Sequence, residues 1–237
     1  MGAAFEHPAP NSTLKRDAPQ AARPSAPRQA AGSHLPALHH LHSVQSMSTV
    51  RPGNQPSLVV VDVQVGVMAG SWEASRVIKN VARAVERARE VGVPVIWVQH
   101  EADDMPRDSS SWQLVPELVP AVGEKRVYKR FPSSFEDTDL EENLARTGTT
   151  HVVLAGAQTN WCIRATAYAA LDRGYDLTLL KDAHTTASID LGNGSNVEAS
   201  SIVTDLNVTM KWLSYPGRKN GTAGAEEVVF AAAGGKA

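Results

Sequence analysis

The run Ser57-Leu58-Val59-Val60-Val61-Asp62 limits the possible folds more than any other stretch of the chain. It has the length of a strand and shows no alternation of polar and apolar residues. A strand of this kind is buried on both faces, as in a parallel sheet covered by helices on either side. The residues that follow keep to that arrangement. A helix is expected from Ser75 to Val91, with Val77, Ile78, Val81, Ala84, Val85, Ala88 and Val91 on one face and Gly92 as its stop. Pro94-Val95-Ile96-Trp97-Val98 reads as a second strand, with proline at its start, where a missing donor is tolerated. Arg126-Val127-Tyr128-Lys129 reads as a short third strand. Thr138 to Thr147 reads as a helix, with Thr138 as N-cap, Glu141 completing a capping box and Gly148 past its end. A fourth strand over 151–155 leads into a helix rich in small residues that ends at Arg173-Gly174. Tyr175 to Leu180 is a fifth strand, Val197 to Leu206 a helix, and Asn207-Val208-Thr209-Met210-Lys211 a sixth strand. Strands alternating with helices imply an α/β fold: three α/β/α layers around a six-stranded parallel, Rossmann-like sheet, in the order 3-2-1-4-5-6.

The flanks differ from this middle. Residues 1–56 hold 8 of the 14 prolines and five of the eight histidines, but Phe5 is their one aromatic. Such a segment buries too little apolar surface to offset its ordering entropy, so a disordered N-terminal tail is expected over 1–56. Within it His34, His39, His40 and His42 lack the cysteines or acids of a metal site. Met47 is a second candidate start, and no secretory signal pattern precedes it. The folded domain is expected over 57–215 and a flexible C-terminal tail over 216–237.

The formal net charge of −2 and the lack of an apolar run of membrane length argue for no nucleic-acid partner and no membrane. One cysteine cannot form an intramolecular disulfide, which fits a cytoplasmic protein. The glycines spell neither a dinucleotide fingerprint nor a phosphate loop, so no cofactor is expected.

Chemistry can sit where ionisable residues end strands, because ligands of open α/β sheets bind at the carboxyl edge. Asp62, Lys129 and Cys162 all do so. In the expected order Asp62 and Cys162 lie on adjacent strands. Lys129 lies two strands from Asp62, roughly 10 Å by sheet spacing, within reach of a long side chain. Cys162 also begins a helix, whose unpaired N–H groups favour a thiolate. A carboxylate can take the thiol proton, an ammonium can hold both charges, and the sulfur can attack a carbonyl carbon. A buried cysteine is more often a small core residue; convergence of three ionisable types is what favours catalysis. A Cys-His-Asp set is the alternative. His151 begins its strand and lies at the wrong end, whereas His100 and His184 follow strands and stay open.

Four motifs carry a family resemblance. They are Val61-Asp62-Val63-Gln64; Lys129 with Ser133-Ser134-Phe135; Gly156-Ala157-Gln158-Thr159-Asn160-Trp161-Cys162 with Ala165-Thr166-Ala167; and Asp182-Ala183-His184-Thr185-Thr186. Over about 57–213 the chain resembles the isochorismatase-like cysteine hydrolases, a group that includes nicotinamidase, N-carbamoylsarcosine amidohydrolase and ureidoacrylate amidohydrolase. The resemblance implies a catalytic triad of Asp62, Lys129 and Cys162. It also implies a non-proline cis peptide before Gln158, and an oxyanion hole from the N–H groups of Gln158 and Cys162. Gln64, Trp72, Phe131, Phe135, Trp161 and His184 are candidate substrate-binding residues. Val67 stands where the family often has phenylalanine. Residues 101–112 offer Asp103, Asp104 and Asp108 but no histidine, so no nicotinamidase-type metal site is expected. The implied function is hydrolysis of a small amide or carbamoyl C–N bond through a Cys162 thioester, by a homo-oligomer acting on a small molecule. The alternatives are vinyl-ether cleavage of isochorismate-like substrates, which needs no cysteine nucleophile, and a retired hydrolase kept as an interaction module.

Overall fold

A computed structural model of the chain describes residues 51, 52 and 54–230. The histidines of the N-terminal segment, Met47, and most of the expected tail over 1–56 lie outside the described residues, as do 231–237.

The first strand, β1 (Pro56–Val61), is buried at every position. Its side chains alternate between the two helical layers. Leu58 and Val60 join the core beneath α2 (Ala74–Glu90), whereas Val59 and Val61 join the core on the opposite face. That two-sided burial is why the sequence of β1 lacks alternation. A short helix, α1 (Val65–Met68), precedes α2, and β2 (Val95–His100) and β3 (Lys125–Lys129) follow it. Next come α3 (Leu140–Arg146), β4 (His151–Ala157), a π-helical turn (Thr159–Ile163), α4 (Arg164–Asp172) and β5 (Asp176–Thr185). A two-stranded ribbon, β6 (Ile189–Asp190) and β7 (Asn196–Val197), leads to α5 (Ala199–Trp212) and β8 (Asn220–Ala223). The main sheet is parallel throughout, with the order β3-β2-β1-β4-β5-β8. This is the expected six-stranded, three-layer α/β/α architecture.

The sixth strand is not the expected one. Residues 207–211 continue α5, because Ile202, Val203, Leu206 and Met210 extend a buried face at helical spacing. Val208 and Thr209 favour strands, but Val208 lies on the outer face, 52% exposed, so its preference loses to the packing of its neighbours. The sheet instead takes Asn220–Ala223, half-buried and paired on one side only. An edge strand needs no apolar run, and this one announces none. Beyond it Ala225, Val228 and Phe230 enter the core beneath α2, so the flexible tail expected from 216 is corrected through residue 230.

The folded part also begins before 57. The Arg51 guanidinium lies 4.2 Å from the centre of the Tyr175 ring, pairs with Glu141 at 2.6 Å and donates to the Arg173 carbonyl. The expected capping box of α3 does not form. Thr138 Oγ1 accepts from Leu140 N, but Glu141 turns to Arg51 and Arg173. Val91, expected on the buried face of α2, falls just past its end and is exposed.

Candidate active site

Gly156 fixes how closely β4 approaches β1. Its φ is +125°, and a Cβ there would lie 1.9 Å from the Val61 carbonyl oxygen, so no side chain fits. With Val61 opposite Gly156, the two chains leave the sheet side by side. One turns at Asp62, which holds a left-handed φ of 54°. Aspartate tolerates this region better than most residues, and such conformations cluster at functional sites. The other runs through a cis peptide between Ala157 and Gln158 into the π-helical turn that carries Cys162. The third side chain comes from β3, where Lys129 is the last residue.

The three side chains meet. Lys129 Nζ lies 2.7 Å from Asp62 Oδ2 and donates to Cys162 Sγ at 3.1 Å. The lysine stem crosses the two strand spacings that separate it from Asp62. Lys129 and Asp62 are both buried, and Cys162 is partly exposed. Asp62 Oδ1 is buried too and has no hydrogen-bond partner. Burial alone would lower the Lys129 pKa, but the charges and hydrogen bonds of Asp62 and Cys162 hold it above the usual lysine value. The ammonium therefore stays charged. Burial first, and the Asp62 charge second, push the thiol up to about 12, and Lys129 pulls the other way without prevailing. Burial and the Asp62 charge thus favour the thiol at rest, against the thiolate that a helix start favours.

The remaining candidates separate into groups. Gln64 is fully buried and touches backbone on three sides: its Nε2 donates to the carbonyls of His100 and Trp112, and its Oε1 accepts from His100 N. It clasps the end of β2 to the loop beyond, and its amide is used up in doing so. Phe135 is likewise not a wall residue. It is buried in the core with its ring 6.0 Å from that of Tyr175, a residue preceding β5 at the opposite end of that strand from His184. His184 is buried with both ring nitrogens engaged, Nδ1 to Thr159 Oγ1 at 2.9 Å and Nε2 to Asn207 Oδ1 at 3.0 Å. Burial pushes its pKa down to about 4, so it is neutral. It holds the turn before Cys162 in place and makes no hydrogen bond to the sulfur.

Three aromatic candidates do stand near the carboxyl edge. Trp161 adjoins Cys162 and is 57% exposed; Phe131 lies two residues past Lys129 and is 48% exposed. Trp72 is half-buried and anchored through its backbone to Thr185 and Thr186 at the end of β5. His100 is the residue that the expected set left out. Its Nδ1 lies 3.3 Å from Lys129 Nζ, and its place at the end of β2 was the only sequence signal for it. Asp103, Asp104 and Asp108 are exposed loop residues, and among the described residues no cluster of three or more histidines, cysteines or acids is placed to hold a metal.

Comparison with known proteins agrees with this fold. Residues 56–205 match the isochorismatase domain family. Streptothricin hydrolase of Streptomyces noursei is 34% identical over 58% of this chain, and the match spans 57% of that protein's own length. An isochorismatase crystal structure from Pseudomonas putida superposes with a TM-score of 0.65 at 26% identity, covering 73% of this chain and 89% of its own. N-carbamoylsarcosine amidase from Thermoplasma acidophilum superposes with a TM-score of 0.59 at 25% identity, covering 73% and 98%. The sheet order, the matched domain and these relatives together make the chain a member of the isochorismatase-like cysteine hydrolase family.

Proposed function

We propose that this hydrolase cleaves the C–N bond of a small amide or carbamoyl compound through a thioester on Cys162. The observation that carries the reading is the single buried ammonium of Lys129 bridging Asp62 and the Cys162 sulfur. Because the thiol is not ionised at rest, Asp62 takes its proton as Sγ attacks the carbonyl carbon, and the partnerless Oδ1 is the oxygen free to receive it. The new S–C bond puts negative charge on the carbonyl oxygen. Backbone N–H groups of Gln158 and Cys162 receive that charge, a contribution of about 3 kcal/mol per donor. Asp62 then returns its proton to the departing nitrogen as the C–N bond breaks, leaving the thioester and a free amine. Water, deprotonated by Asp62, attacks the thioester; the acid leaves and the thiol is restored. Lys129 stays charged throughout and balances whichever of Asp62 and Cys162 is the anion. The printed names of two relatives, streptothricin hydrolase and N-carbamoylsarcosine amidase, are in keeping with amide chemistry. Trp72, Phe131 and Trp161 would line the entrance for the substrate.

The test is release of amine from a panel of small amides and carbamoyl compounds by the parent and by Cys162→Ala. Activity that survives the substitution would sink the nucleophile and favour cleavage of a vinyl ether, which needs no sulfur. A homo-oligomer and a cytoplasmic location belong to the same reading. Exposed Phe131, Trp161 and Trp212 support the first, and light scattering in solution tests it. The single cysteine supports the second. Among the described residues no helix is long and apolar enough to cross a membrane.

A further inference from the structure

An ammonium group has three N–H donors and no acceptor. Lys129 directs one to Asp62 Oδ2 and one to Cys162 Sγ. The third points to a side chain outside that set, Nδ1 of His100 at 3.3 Å. A contact with a pure donor requires Nδ1 to present its lone pair. The imidazole is then neutral, with its hydrogen on Nε2. The surroundings agree: burial and the Lys129 charge hold the His100 pKa below the usual histidine range, against the pull of Asp62, Asp104 and Glu101.

The ring is also well placed to act on the lysine. His100 and Lys129 sit opposite one another on β2 and β3. The backbone of His100 is held on both sides by Gln64, whose Oε1 accepts from His100 N and whose Nε2 donates to His100 O. The backbone that carries the imidazole is thus fixed, with Nδ1 within reach of the buried ammonium. The three hydrogens of an ammonium are tetrahedral, so seating one sets the directions of the other two.

We propose that His100 is a positioning residue of the active site, whose neutral imidazole accepts the third N–H of Lys129 and so keeps the ammonium aimed at both Asp62 and Cys162. The inference rests on the reading of Asp62, Lys129 and Cys162 as the reacting set. Protonation of His100 would turn its acceptor into a donor and set two cations against each other, swinging the ammonium off the sulfur. The charged groups around the imidazole are Lys129 from β3, Asp62 from the end of β1, and Glu101 and Asp104 from the loop that follows His100, with Cys162 across the ammonium.

Cys162 is the only cysteine of the chain, so alkylation by iodoacetamide reads this thiol alone and needs no substrate. The rate is followed from about pH 5 to about pH 10 in the parent, Lys129→Met, His100→Leu and His100→Asn, with melting curves to confirm folding. The Asn Oδ1 can stand close to the place of Nδ1 as an acceptor, but it does not protonate in this range. At neutral pH His100→Leu is expected to slow alkylation about tenfold, the scale of one lost hydrogen bond to a charged donor, while His100→Asn stays within about twofold of the parent. Thiol ionisation alone makes the rate fall about tenfold per pH unit below its pKa; the parent falls more steeply on the acid side, and His100→Asn does not. If His100→Leu matches the parent, or if His100→Asn is as slow as His100→Leu, the positioning role is wrong. If Lys129→Met leaves alkylation unchanged, the fault lies instead with the assignment of Lys129 to the reacting set.

Discussion

Two buried polar clusters lie at the carboxyl edge of the same sheet, one strand apart. At the end of β5, Asn207 donates to the Lys181 carbonyl and turns its oxygen to His184 Nε2, and His184 Nδ1 accepts from Thr159. Every one of these side-chain contacts pairs a donor with an acceptor, and no member is charged. At the ends of β1, β2, β3 and β4 the contacts join a carboxylate, an imidazole, an ammonium and a thiol, and one carboxylate oxygen is left without a partner. In the first arrangement both ring nitrogens of His184 are engaged by neutral partners, which suits it to holding structure. The second holds charge that water would stabilise better, together with an acceptor that can still take a proton. Keeping such a cluster costs stability, which is tolerated where chemistry requires it.

Substitutions can break or sharpen that contrast. The largest effect is expected from Cys162→Ala, with amide hydrolysis falling at least about 10³-fold while the melting temperature stays close to that of the parent. Loss of folding along with activity would move Cys162 into the structural class. Next is Lys129→Met, which leaves a buried carboxylate alone and is expected to lower the unfolding free energy in urea by about 3–5 kcal/mol. Adding Asp62→Asn should return part of that stability and none of the activity. A double variant no more stable than the single one would mean that the pair is not coupled.

The His184 cluster is expected to show itself in the dependence of stability on pH. The folded pKa, about 4, is below the ordinary value of 6.5, so between the two the unfolded chain binds the extra proton. Stability is therefore full above pH 6.5 and is lost as the pH falls toward 4, by roughly 3 kcal/mol for this one group. His100 and His151 are shifted in the same direction and add to the slope. Urea unfolding of His184→Gln should give a shallower curve; one as steep as the parent's would remove His184 from the account. The smallest effect belongs to Arg51→Ala, which loses a ring contact and a half-exposed ion pair. About 1 kcal/mol of stability is expected to go, with hydrolysis untouched.

Much of this was legible in the residues. The unalternating run of β1 and the spaced face of α2 report burial directly, and Asp62, Lys129 and Cys162 could be placed because strand ends in a parallel sheet share one edge. What stayed hidden depends on neighbours distant in sequence. Val208 and Thr209 look like strand residues until Leu206 and Met210 are seen to share a helical face with Ile202. Phe135 resembles a wall residue because it stands near Lys129 in sequence, yet its side chain turns to Tyr175. Gln64 reads as a polar group available to a ligand, and only the returning backbone of His100 and Trp112 shows it to be spoken for. The thiol's protonation state was the least accessible of all, since it balances burial and Asp62 against Lys129, and none of these magnitudes is carried by spacing.

The late arrival of β8 has a bearing on where this domain can be divided. The family match ends at 205, inside α5, while the sheet is finished by Asn220–Ala223 and one face of the core by Ala225, Val228 and Phe230. A chain stopped after Tyr215 would keep Asp62, Lys129 and Cys162, the three side chains of the proposed reacting set. It would also present β5 as an open edge, with a row of unpaired backbone groups from Leu177 to Leu180 and uncovered apolar surface beside α2. Open edges of this kind pair with one another. The last fifteen described residues therefore cover β5 and finish one face of the core, a contribution invisible to any boundary drawn from similarity alone.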